Sequence, residues 1–156
     1  MAVTTSRVPA AVDALLTILR AAPALTGIRI VDGPEAVNLT DRDRIHIGWQ
    51  PSGGSAVSLQ QSFNAAGART RDEAFTISCY AESRSGDKDM AVRRAKVFEI
   101  VGAVETALRA TNEAPEAPTL NGTVLWAHLT AGDLSQLQSE GANAGLNFTV
   151  TCQARI

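Results

Sequence analysis

Leu146-Asn147-Phe148-Thr149-Val150-Thr151-Cys152-Gln153-Ala154-Arg155-Ile156 alternates apolar and polar residues without a break. Leu146, Phe148, Val150, Cys152, Ala154 and Ile156 fall on one face; Asn147, Thr149, Thr151, Gln153 and Arg155 fall on the other. Successive side chains of an extended chain point to opposite sides, so period-two alternation specifies a strand with one buried face. The segment predicts a strand running to the last residue, and hence a fold built on a half-buried sheet.

The same period recurs upstream. Arg44 to Trp49 sets Ile45, Ile47 and Trp49 against Arg44, His46 and Gly48. Glu73 to Ala81 sets Phe75, Ile77, Cys79 and Ala81 against Thr76, Ser78 and Tyr80. Val57 to Phe63 reads as a further strand, as does Leu25 to Val31, which stops at the turn residues Asp32-Gly33-Pro34. Thr123 to Thr130 alternates too, and Gly132 marks a bulge or bend that leaves continuation through Leu134 and Leu137 open. Ser139 to Gly145, with two glycines, reads as the turn into the final strand.

Two segments follow the helical period instead. Val8, Val12, Leu15, Leu16 and Leu19 form one stripe, with Ser6 as a cap, Pro9 in the first turn and Pro23 as the stop. A longer helix is predicted from about Lys88 to Thr111, capped by Ser85-Gly86-Asp87. Its core stripe is Met90, Val97, Ile100, Val101, Val104 and Leu108, with Phe98 at the margin. Runs of neighbouring strands with two helices predict an α+β fold, the helices packed on one face of a mostly antiparallel sheet. The length of 156 residues suits a single domain, with residues 1–6 as a flexible arm.

Composition narrows the function classes. A hydrophobic fraction of 45% with several apolar-periodic segments excludes a disordered chain. Lys and Arg number 14 against 16 Asp and Glu, a net charge of −2, which lacks the basic excess of a dedicated nucleic-acid binder. Aromatic residues make up 4%, too few to form a stacking platform for single strands. The N-terminus has no signal-peptide pattern and no stretch is long enough to span a membrane, so the expectation is a soluble protein made in the cytoplasm. Cys79 and Cys152 each lie on the apolar side of a strand and are expected to be buried, reduced thiols.

No constellation of residues points to catalysis. His46 and His128 lie in predicted strands without a second ligand at metal-like spacing, and the cysteines form no Cys-x-x-Cys pair. Ser52-Gly53-Gly54-Ser55 lacks the lysine of a phosphate cradle and reads as a mobile turn. Asp41-Arg42-Asp43-Arg44 reads as solvated charges protecting a strand edge. Asn38-Leu39-Thr40, Asn121-Gly122-Thr123 and Asn147-Phe148-Thr149 match the glycosylation sequon by chance. The expectation is no catalytic residue, no cofactor and no metal.

Two features suit a partner surface. The outward face of the long helix is small as well as polar, with Ala91, Ala95, Gly102 and Ala103 among Glu99, Thr106 and Arg109. Small residues let a second surface approach closely. The basic cluster Arg69, Arg71, Arg93, Arg94 and Lys96 suits an acidic partner or the wall of a DNA passage. Arg69, Arg71, Ala95, Gly102 and Ala103 are therefore the candidate interface residues.

This layout resembles the tail terminator (tail-to-head joining) proteins of long-tailed bacteriophages. The resemblance rests on the helix Val12-Asp13-Ala14-Leu15-Leu16, the strand Asp43-Arg44-Ile45-His46-Ile47-Gly48, and the strand Phe75-Thr76-Ile77-Ser78-Cys79-Tyr80 leading through a polar turn into one long helix. The Gly-rich turn before Phe148-Thr149-Val150-Thr151-Cys152 is similar as well. The resemblance implies a homo-hexameric ring that caps the tail tube, ends its growth and joins the tail to the head connector. Its partners would be copies of itself, the tail tube protein and a head–tail connector or neck protein, with DNA only passing through the lumen and no membrane. The implied location is the virion neck, after assembly in the host cytoplasm. Two alternatives stand beside it: another neck or tail component, such as a head-completion or tail-tube protein, and a small bacterial α+β enzyme or ligand-binding domain.

Overall fold

The chain orders its elements as α1 (Val8–Ala21), β1 (Arg29–Asp32), β2 (Asp43–Ile47), β3 (Val57–Phe63), β4 (Arg71–Arg84), α2 (Met90–Ala107), β5 (Trp126–Gln138) and β6 (Ala142–Arg155). The computed structural model describes residues 5–34, 42–63, 65–67, 69–86, 88–138 and 141–156. Residues 1–4 of the arm, the 35–41 connection with the Asn38 sequon and Asp41, Asp87 of the expected cap, and residues 139–140 lie outside them.

The sheet has six strands in the order β1-β2-β4-β6-β5, with β3 also on β4. β4 is long enough to hold two partners on one side: β3 pairs with residues 71–77 and β2 with residues 79–83. Its other side pairs with β6 along nearly the whole length of both strands. Every ladder is antiparallel except β1 on β2. The α+β architecture expected from the alternation is therefore the one observed, with both helices packed on the sheet.

The register explains the core. Ile45, Ile47, Phe75, Ile77, Cys79, Ala81, Leu146, Phe148, Val150, Cys152 and Ala154 share the helix-facing side and join Leu15, Leu19, Val97, Ile100, Val101 and Val104 in one buried cluster. Each large aliphatic or aromatic side chain in it contributes about 1.5–3 kcal/mol by leaving water. Met90 is only half-buried and Phe98 is exposed, so the stripe of α2 is narrower at its start than the sequence implies.

Several boundaries differ from the sequence reading. Pro23 to Leu25 forms a 3-10 turn with Leu25 buried as its anchor, and β1 starts only at Arg29, after Gly27 turns the chain at φ +86. The N-cap of α2 is Asp89, whose carboxylate accepts from Val92 N at 3.3 Å, in place of the Ser85-Gly86-Asp87 group. The helix ends at Ala107, four residues early, and a 3-10 pattern closes it through Leu108 and Arg109. β5 continues through Gly132 to Gln138, and its bulge lies between Leu129 and Ala131. There the Thr130 hydroxyl reaches Thr149 Oγ1 at 2.9 Å and Thr151 Oγ1 at 2.7 Å, a contact that fits the extra residue.

Gly145 is part of β6, opposite Glu82, and belongs to no turn. A Cβ there would lie 2.1 Å from Tyr80 Oη and under 3 Å from two ring carbons. The glycine leaves room for the tyrosine ring on the sheet.

Candidate functional site

Three ionic or polar clusters and one groove carry most of the features outside the apolar core. The first cluster joins α1 to the sheet. Glu73 follows the alternation of Phe75 and so points into the core side, where it is fully buried. Arg7 N donates to its Oε1 at 2.8 Å, and Ser6 Oγ and Gln61 Nε2 donate to its Oε2 at 2.6 Å each. Burial pushes the Glu73 carboxyl up, but the bonds from Ser6, Gln61 and Arg7 and the charge of Arg71 outweigh it and hold the pKa below its usual value. The anionic form is the right one beside a helix N-terminus. Ser6 also accepts from Val8 N at 3.0 Å, but the N-cap position of α1 is Arg7, with no side-chain cap bond, so Ser6 ties the helix start to Glu73 and is not the expected cap.

The second cluster lies on the opposite face of the sheet. Arg44 is buried, contrary to the reading of a solvated edge charge, and β2 lies between β1 and β4 and not at an edge. Its Nε and a terminal nitrogen donate to Glu82 Oε2 at 2.9 and 2.6 Å, and Asn143 Nδ2 donates to Glu82 Oε1 at 2.6 Å. His46 is fully buried beside this pair, with Nδ1 2.9 Å from Gly33 O and its ring 4.7 Å from that of Trp49. Burial and the Glu82 charge push the Tyr80 phenol up to about 12, with Arg44 opposing. Protein donors occupy both carboxylate oxygens of Glu82, which fixes that side chain in place.

A third network brings Arg93 inward. It donates to Ser83 Oγ at 3.0 Å, and Ser83 donates to Asp43 at 2.7 Å. Arg94 donates to Gln136 at 2.8 Å, and Lys96 lies 3.7 Å from Glu99. The basic cluster read from sequence is thus divided among separate internal partners. Arg69 is exposed in the β3–β4 connection and takes part in no ion pair among the described residues. Arg71 is half-buried at the start of β4, bonded through its backbone to Ile156, and its charge acts on Glu73.

The small helical residues divide similarly. Ala95 and Gly102 are exposed on α2, and a Cβ added at Gly102 would meet nothing within 4 Å. Ala103 is half-buried and lines a groove of about 820 Å³ between the C-terminal ends of α1 and α2. Sequence inspection picked out Ala103 for its size but gave no sign of the groove, because its other wall comes from residues about 80 positions upstream.

Large apolar side chains are exposed on several elements, β3, β5 and α2 among them. Leu59 and Phe63 lie on β3, at 49% and 70% exposure. Leu134 and Leu137 lie on β5, the strand at the opposite side of the sheet, and Phe98 lies on α2. Both thiols are free and buried, and burial pushes Cys79 and Cys152 up to about 12. No group of three or more His, Cys, Asp or Glu side chains suited to a metal occurs among the described residues. No helix among them is long and apolar enough to cross a membrane.

No protein-family model and no characterised protein sequence matches this chain.

Proposed function

We propose that this chain is a virion structural protein that assembles as a hexameric ring on the end of a phage tail tube, stops tube growth and presents a surface to the head connector. The observation that carries the reading is the placement of exposed apolar surface at non-equivalent parts of one subunit, Leu59 and Phe63 on one face of β3 against the apolar groove between α1 and α2. An isologous dimer needs one self-complementary patch, whereas a ring needs two different surfaces on each subunit. Large apolar side chains exposed in groups mark association surfaces. The resemblance in element layout supplies the tail; the surface supplies the ring.

The outward face of α2 is a further candidate surface in such a ring. Ala95 and Gly102 have open space around them, and glutamine is a good helix former, so the Ala95→Gln, Gly102→Gln double variant folds. The expected outcome is loss of ring assembly or tail capping, with phage particles that carry over-long or uncapped tails and fail to join heads. Normal infectious particles from the double variant would remove this face from the interface. A folded chain that assembles with no tail tube or neck partner would sink the terminator reading.

A further inference from the structure

The groove beside Ala103 is open among the described residues. Its walls are mainly small or apolar, among them Ile18, Ala21, Pro23, Ala103, Ala107 and Pro115. Three charged side chains line it. Arg109 is bonded to Glu105 at 2.5 Å, which leaves Glu113 and Glu116 without an ion pair among the described residues. The groove is thus apolar inside with an excess of negative charge.

The β3–β4 hairpin has the complementary character. Phe63, the last residue of β3, is 70% exposed, and Leu59 lies on the same face of the strand. Arg69 follows in the connection, exposed and without an ion pair among the described residues. None of the seven residues of β3 is charged, so this edge lacks the charges that normally block pairing with another chain.

We propose that the groove receives the β3–β4 hairpin of a second copy of this chain, with Phe63 in the apolar part and Arg69 beside Glu113 and Glu116. Plug and groove are built from separate residues, so each subunit uses its hairpin on one neighbour and its groove on another. Such a heterologous contact propagates into a ring or filament. The inference rests on the proposed ring for the identity of the occupant and does not require a tail tube.

Cysteine cross-linking tests it on the full chain. Arg69→Cys and Glu113→Cys are surface changes, and both native thiols are buried. Mixing the two single variants under mild oxidation should give one cross-linked dimer, and the double variant should give a ladder of higher species. In sedimentation velocity, Arg69→Glu or Glu113→Arg should each weaken self-association about tenfold, and the two changes together should restore most of it. A native chain that stays monomeric at its highest soluble concentration, or cross-links only between like variants, overturns the proposal. Self-association without the Arg69–Glu113 link removes this docking and leaves the ring reading standing. The link without any tail-tube partner does the reverse. A monomer that takes up a small apolar molecule in the groove would assign it to a ligand and overturn the docking.

Discussion

Removing one carboxylate should loosen α1 from the sheet. Glu73 is fully buried and accepts from Arg7 N, Ser6 Oγ and Gln61 Nε2, so it ties α1, β3 and β4 together at a single point. In Glu73→Ala the Arg7 amide loses its acceptor, at about 1–3 kcal/mol for an orphaned donor. Ser6 and Gln61 are only half-buried, so water can take up the donors they release, and those two bonds cost only about 0.5–1.5 kcal/mol each. Loss of a negative charge at the helix N-terminus adds about 0.3–1 kcal/mol. The expected loss is about 4 kcal/mol, a large share of a total near 5–15 kcal/mol. Glu73→Gln keeps one carbonyl oxygen and should lose about 1–2 kcal/mol. The pH dependence gives a second readout. The folded-state pKa lies below the usual 4.5, so this stabilisation is full above that value and fades as pH falls through the lower folded value. Urea unfolding at pH 7 and across pH 3–6 measures both effects, with the Gln variant lacking that part of the acid dependence. A loss below about 1 kcal/mol in Glu73→Ala, or a Gln profile parallel to the native one throughout, would refute the anchoring role.

Gly145→Ala should cost about 1–3 kcal/mol, because its methyl must displace the Tyr80 ring; an unchanged thermal midpoint and Trp49 fluorescence would place that ring elsewhere. Arg44→Met should cost about 3–5 kcal/mol by leaving Glu82 buried without its cation, and adding Glu82→Met should recover part of that loss in a urea titration. No recovery would mean the pair adds more than it costs to desolvate. Thiol labelling of the native protein should be slow at pH 8, since thiolates with pKa near 12 are scarce there, and fast in urea. Rapid labelling of one thiol in the folded chain would move its strand off the core side.

The sequence alone determined the sheet, its buried side and the two helices, because alternation and helical periodicity are local and each apolar residue reports its own face. Glu73 was legible in principle, since it continues the Phe75–Ala81 phase, and a carboxylate on a core-facing position demands partners. Arg44 was not legible. Whether its face of β2 is wet depends on what packs there, and Glu82 and Asn143, brought alongside from β4 and β6, are remote in sequence. Gly145 misled for a related reason: a glycine read locally signals a turn, yet this one makes space for a tyrosine two strand positions away in the register. The bulge falls at Thr130, whose hydroxyl meets two partners on β6, and not at the glycine two residues on. Of the interface residues, sequence could show only size and charge. The tertiary structure decided which of them face out, turned Arg71 toward Glu73 and left Arg69 exposed. It also made a groove beside Ala103, because a groove exists only between walls that folding brings together.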